Sequence, residues 1–117
     1  MALRMSRIST HILDLMRGRP ANDVPVRLEH QQSPGNWRAV GSARTDQDGR
    51  CSQLLPTDNL SPGVYRLSFD TGAYFDAQKL AGFYPVVEVT FQVRSGESQF
   101  HIPLLLSANG YTTYRGS

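Results

Sequence analysis

Ile8, Thr10 and Ile12 alternate with Ser9, His11 and Leu13, and the same period of two returns where Val24, Val26 and Leu28 alternate with Pro25, Arg27 and Glu29. GVYRLSFD and VEVTFQV repeat it further along. A period of two belongs to a strand with one buried and one solvated face. Between these stretches lie GRPAND, QSPGN, TDQDG, LSPG and RSGES, each rich in the residues that tight turns require. Short alternating strands with frequent turns predict an all-β antiparallel sandwich. Only DTGAYFDAQKLAGF departs from the rhythm. There Asp70 or Thr71 can cap a helix start, Tyr74, Phe75 and Leu80 form a loose helical stripe, and Gly82 can end it.

The chain has 117 residues, 39% of them hydrophobic and 19% charged, which is the size and mixture of one domain with one core. The longest apolar run, Leu104-Leu105-Leu106, is far too short to span a membrane, and MALRMSRIST lacks the apolar middle of a secretion signal. A cytoplasmic protein with no membrane association is expected. Cys51 is a lone cysteine, so no intrachain disulfide is available, and no Cys/His pair has structural-zinc spacing. Formal net charge is +2, and the basic residues, all but Lys79 arginine, are scattered singly. Without a basic patch, no nucleic-acid partner is expected.

Residues able to do chemistry are few. His11 alternates against Ile8, Thr10 and Ile12, and His101 against Phe100, Ile102, Leu104 and Leu106, so both imidazoles project from the face opposite the core. Taken singly, each reads first as an ordinary surface or interface histidine; His30, beside Gln31 and Gln32, reads as plain surface. Arg50 follows the tight turn Asp46-Gln47-Asp48-Gly49, where Gly49 can adopt positive φ. Its guanidinium is either a solvated rim charge or a clamp for a planar anion. The closing Tyr114-Arg115-Gly116-Ser117 adds a second guanidinium, a hydroxyl and a glycine that lets backbone approach a ligand. This inventory suits metal-free hydrolysis of a polarised carbonyl, with histidine as base for water and arginine and hydroxyl groups for the developing charge. No G-x-S-x-G, H-E-x-x-H, P-loop or G-x-G-x-x-G is present.

ISTHILDLMRGRPANDVPVRLE, TDQDGR, GVYRLSFDTGAYF, FYPVVEVTFQV and FHIPLLLSANGYTTYRGS resemble the transthyretin-related 5-hydroxyisourate hydrolases of urate degradation. YRGS is the most specific part, because transthyretin keeps the fold without that ending and carries hormones. The resemblance covers 7–117 as one domain and leaves 1–6 as a flexible N-terminal segment. It implies a transthyretin-like β-sandwich of two four-stranded sheets with one short helix, assembled as a homotetramer, a dimer of dimers with the sites in the channel between dimers. It implies His11, Arg50 and His101 as catalytic residues, Tyr114, Arg115, Gly116 and Ser117 as substrate-binding residues, and no metal or organic cofactor. The implied reaction opens the six-membered lactam ring of 5-hydroxyisourate to 2-oxo-4-hydroxy-4-carboxy-5-ureidoimidazoline. Either histidine fits the role of base. Gln99 stands where relatives often have histidine, and Ala108-Asn109 replaces more usual residues, both outside the motif positions. A non-catalytic carrier of a planar anionic or aromatic ligand is the competing reading, and a purely structural sandwich a third.

Overall fold

The computed structural model describes residues 7–55 and 60–117; the expected flexible segment 1–6 lies outside them. Among the described residues, nine strands and one helix follow in the order β1 (Arg7–Asp14), β2 (Arg19–Pro20), β3 (Pro25–Ser33), β4 (Asn36–Arg44), β5 (Arg50–Cys51), β6 (Gly63–Phe69), α1 (Thr71–Ala77), β7 (Val87–Val93), β8 (Gln99–Leu106) and β9 (Tyr111–Thr113). One sheet runs β4-β3-β6-β7, and the other runs β2-β1-β8-β9 with β5 also paired to β1. The second sheet therefore counts five strands, yet it is four positions wide. The two-residue β5 and β2 share one edge of β1, β5 beside Thr10 and His11 and β2 beside Leu13 and Asp14.

The apolar faces meet between the sheets. Ile8 and Ile12 of β1 and Phe100, Ile102, Leu104 and Leu106 of β8 face Val26, Leu28, Leu67, Phe69, Val87 and Val93, all buried. Each such side chain contributes about 1.5–3 kcal/mol by leaving water. Strand pairing is antiparallel except between β1 and β8, which run parallel with Ser9 opposite His101 and Ile12 opposite Leu104. The β4 strand escapes an alternation reading because its face pattern is blurred by exposure. At Gly41 a side chain would collide with the Leu54 carbonyl.

The helix starts at the expected cap: Asp70 Oδ1 accepts a hydrogen bond from the Ala73 amide at 3.0 Å. Its end differs from expectation. Leu80 N–H donates to Phe75 O and Lys79 N–H to Asp76 O, with Lys79 at φ 58°, so the chain leaves the helix through a left-handed lysine before reaching Gly82. Leu80 is consequently 42% exposed. Gly82 instead lies against the Phe75 ring, where a Cβ would approach Cδ2 to 2.5 Å. His30, expected as plain surface, is half-buried and stacks on Tyr65 with ring centroids 4.2 Å apart.

The buried carboxylate of Asp14 joins helix to sheet. Oδ2 accepts from Tyr74 Oη at 2.6 Å, while Oδ1 accepts from the amides of Met16 and Arg17. Burial of the Tyr74 phenol and its bond to Asp14 both push its pKa above the ordinary value. On the outer face of the other sheet, Glu29 accepts from Arg27 at 2.7 Å and from Arg66 at 2.8 Å. The Arg66 guanidinium in turn lies 4.2 Å over the Trp37 ring.

Candidate functional site

The turn after Thr45 positions Arg50. Asp46 Oδ1 accepts from the amides of Asp48 and Arg50, and Gly49, at φ 73°, turns the chain in a conformation that glycine tolerates best. Gly49 O accepts from Ile12 N–H at 2.8 Å, and a Cβ at Gly49 would meet Ile12 O at 2.4 Å. The turn is thereby seated on β1, which sets Arg50 directly opposite His11 in the ladder.

His101 arrives from the other side of β1. The β1–β8 register pairs it with Ser9, and Ser9 Oγ lies 2.9 Å from His101 Nδ1. Two-residue periodicity puts Ser9 and His11 on the same face of β1 and Gln99 and His101 on the same face of β8. Neighbouring side chains agree: Ile8, Thr10, Ile12, Phe100 and Ile102 are buried, whereas His11 and His101 are half-buried.

The closing segment folds back over this face. Gly116 N–H donates to His101 O at 2.8 Å and forms an isolated antiparallel bridge with it. A cleft of about 320 Å³ results, walled by Ser9, Thr10, Arg50, Ser52, Gln99, Phe100, His101, Gly116 and Ser117. An adjoining hollow of about 180 Å³, lined mainly by apolar groups, shares Phe100 and His101 and includes Tyr114 and Arg115. Arg115 is turned from the first cleft: its guanidinium pairs with Glu97 at 3.3 Å and lies 4.9 Å over the Phe100 ring.

The seven residues expected at a site thus divide. Arg50, His101, Gly116 and Ser117 share one cleft. His11 stands beside Arg50 in the ladder, and Tyr114 and Arg115 line the adjoining hollow. Sequence reading passed over Ser9 and Ser52, although the alternation that placed His11 outward also places Ser9 outward. Gln99, set outside the motif positions, is in fact part of the cleft wall.

Electrostatics favour a neutral His101. Partial burial, the charge of His11 and the Arg50 guanidinium all lower its pKa from the ordinary 6.5. Cys51, next to Arg50, is no rival nucleophile: burial first, and then the Asp46 carboxylate, push its thiol up to about 11. Among the described residues, no cluster of three or more His, Cys, Asp or Glu side chains has the geometry to hold a metal ion. What the arrangement offers is a neutral imidazole beside a cation, with hydroxyls and backbone at close range.

Comparison with known proteins agrees with the fold. The HIUase/Transthyretin family model matches residues 8–116. A 5-hydroxyisourate hydrolase of Salmonella dublin is 46% identical over 110 residues, covering 94% of this chain and 80% of that one. The structure of Klebsiella pneumoniae 5-hydroxyisourate hydrolase superposes with a TM-score of 0.84 at 34% identity, covering 97% of this chain and 100% of that one. Sea bream transthyretin in complex with thyroxine superposes with a TM-score of 0.87 at 33% identity, covering 93% of each chain. With a family match over nearly its whole length and the same two-sheet architecture, the chain belongs to the HIUase/transthyretin family.

Proposed function

We propose that this protein is a 5-hydroxyisourate hydrolase of urate degradation, opening the six-membered lactam ring to 2-oxo-4-hydroxy-4-carboxy-5-ureidoimidazoline without a metal or organic cofactor. The observation that carries this reading is the cleft where Arg50, His101, Gly116 and Ser117 meet beside His11. Relatives bearing that name support it. In this reading an imidazole takes a proton from water as the oxygen attacks the lactam carbonyl, then returns it to the leaving nitrogen. Arg50 binds the substrate and the negative charge growing on its oxygen. Gly116 and Ser117 orient the ring within the cleft, and Tyr114 and Arg115 bind substrate from the adjoining hollow. The lowered pKa of His101 favours it as the base, since it is unprotonated at neutral pH.

The assembly proposed is a cytoplasmic homotetramer, a dimer of dimers with each site at the seam between dimers. Exposed apolar side chains support an interface: Phe83 is 72% exposed and Leu15 59%, with Leu15 N–H bonded to Leu106 O at the end of β8 and Phe83 N–H to Ala108 O in the turn beyond it. Residues 7–117 act as the single domain. The carrier reading draws on likeness to the thyroxine-binding sea bream protein, but a carrier needs no imidazole held neutral beside an arginine.

The test is to generate 5-hydroxyisourate from urate with a purified oxidase and follow its ultraviolet absorbance. The decay should be faster with this protein than without it; equal decay would refute the hydrolase reading. Light scattering on the same sample should give about four times the 13.0 kDa chain mass.

A further inference from the structure

Two contacts fix the His101 ring from opposite sides. Ser9 Oγ lies 2.9 Å from Nδ1. Gly116 backbone packs against the Cδ2 and Cγ edge so tightly that an added Cβ would stand 2.7 Å from Cδ2 and 3.3 Å from Cγ. Of the ring's two nitrogens, Nδ1 is therefore occupied inside the protein and Nε2 is the one left for chemistry. The Ser9 contact is built into the fold, because the parallel β1–β8 register makes Ser9 and His101 direct neighbours.

We propose that Ser9 is a positioning residue for the hydrolysis, acting through His101: its hydroxyl oxygen accepts a hydrogen bond from Nδ1–H and so presents Nε2 to the cleft as the proton acceptor. The inference rests on the hydrolase reading and deepens it. A neutral imidazole carries one ring proton, and whichever partner engages one nitrogen decides the state of the other. With Nδ1–H directed at Ser9, Nε2 has a free lone pair. It takes a proton from the attacking water, giving an imidazolium whose Nδ1–H remains bonded to Ser9, and hands that proton to the departing ring nitrogen. Proton and charge balance over the cycle, and Ser9 neither gains nor loses a proton. If Ser9 donated to Nδ1 instead, Nε2 would carry the hydrogen and offer water no acceptor.

The opposite bond direction predicts opposite behaviour, which makes the proposal testable. The titratable and charged groups around His101 are His11 on β1, Arg50 on β5, and Arg115 on the closing segment with its partner Glu97 ahead of β8. None of these changes in Ser9→Ala. An accepting Ser9 stabilises the imidazolium, so its removal should lower the His101 pKa further; a donating Ser9 stabilises the neutral ring, so its removal should raise it.

The full-length protein labelled with ¹⁵N-histidine is examined by two-bond ¹H–¹⁵N correlation across pH, in the wild type, Ser9→Ala and Ser9→Thr, with His101→Asn identifying the signals. The expected result is an Nδ1–H tautomer in the wild type and in Ser9→Thr. Ser9→Ala should show a shift toward Nε2–H and a lower midpoint, with kcat down roughly ten- to a hundredfold, as when a ring-orienting partner is lost, and KM little changed. A wild-type Nε2–H tautomer, or a Ser9→Ala midpoint that rises or stays put, would overturn the assignment. The tautomer is read without turnover. A wild type lacking hydrolase activity but showing Nδ1–H would sink the functional reading and leave the Ser9 contact standing.

Discussion

Gly116 and His101 are in contact along backbone and side chain at once: the glycine amide donates to His101 O at 2.8 Å, and a Cβ would reach the imidazole to 2.7 Å. The close approach explains a glycine here without invoking an unusual φ. Gly116→Ala should push the ring off its Ser9 contact and lower kcat by at least tenfold, on the scale of disturbed ring orientation. Because the segment lies outside the sandwich core, the thermal midpoint should move by no more than a few degrees. Removing Gly116 and Ser117 together should act in the same direction. Steady-state assays beside a thermal melt separate the two effects, and full activity in either variant would contradict the role given to this contact.

Arg50 is held by a turn that hydrogen-bonds its amide and leaves the side chain exposed, so its substitution should spare the fold. Arg50→Lys should nonetheless lower kcat/KM strongly, because an ammonium lacks the planar fork that grips a developing oxyanion. His11→Asn and His101→Asn should each lower turnover about a hundredfold or more, the usual scale for removing a proton-transfer group. Circular dichroism should stay unchanged throughout. Parent rates in all three would move the site elsewhere.

The pH dependence follows from the direction of the His101 shift. Its proton affinity is reduced first by partial burial and then by electrostatic repulsion from the neighbouring His11 and Arg50. A base works unprotonated, so the acid limb of kcat/KM should fall at a pH below the ordinary 6.5. Arg50→Gln removes one of the opposing charges and should shift that limb upward. The same group affects stability: the unfolded chain takes up this proton first. Its contribution to stability therefore declines as pH drops through 6.5 and levels off below the folded-state value. A limb at or above 6.5 in the parent protein would show that His101 is not the base.

Glu29 should matter for stability and hardly at all for turnover. Burial alone would raise its pKa, but hydrogen bonds and charge from Arg27 and Arg66 outweigh that and hold it below 4.5. Its stabilising contribution is present above the ordinary carboxylate range and is lost as pH falls through the depressed value. Glu29→Ala leaves the partly buried Arg66 without its main partner and should cost about 1–3 kcal/mol in urea unfolding at neutral pH. An unchanged midpoint would place the pair among the ion pairs that contribute nothing measurable.

Much of the architecture was legible because alternation survives wherever one face is wet. In β1, β3, β6 and β7 the buried residues fall on every second position, apart from a bulge between Leu28 and Glu29. β4 was not legible, since an edge strand with little to bury has no reason to alternate. The helix end was misjudged because glycine is the usual left-handed stop, whereas here Lys79 takes that conformation under the hold of Phe75 O and Asp76 O. Outward placement of His11 and His101 could be read locally. Their proximity could not, nor could the Ser9 contact, because these depend on which strand lies beside β1. Recognition of YRGS pointed to the closing segment, but not to its division, with Gly116 and Ser117 in one cleft and Arg115 drawn aside by Glu97 and Phe100.

The parallel neighbours β1 and β8 also have a kinetic consequence. Ser9 and His101 are 92 positions apart, so their contact closes almost the entire chain. The chain-length part of that closure costs about 4 kcal/mol in entropy, and no local turn offsets it in advance. During refolding the hairpin of β3 and β4 can form early, whereas the cleft must await the joining of first and penultimate strands. Catalytic competence should therefore return with the last major structural phase, which makes recovered turnover a clock for completion of the sheet.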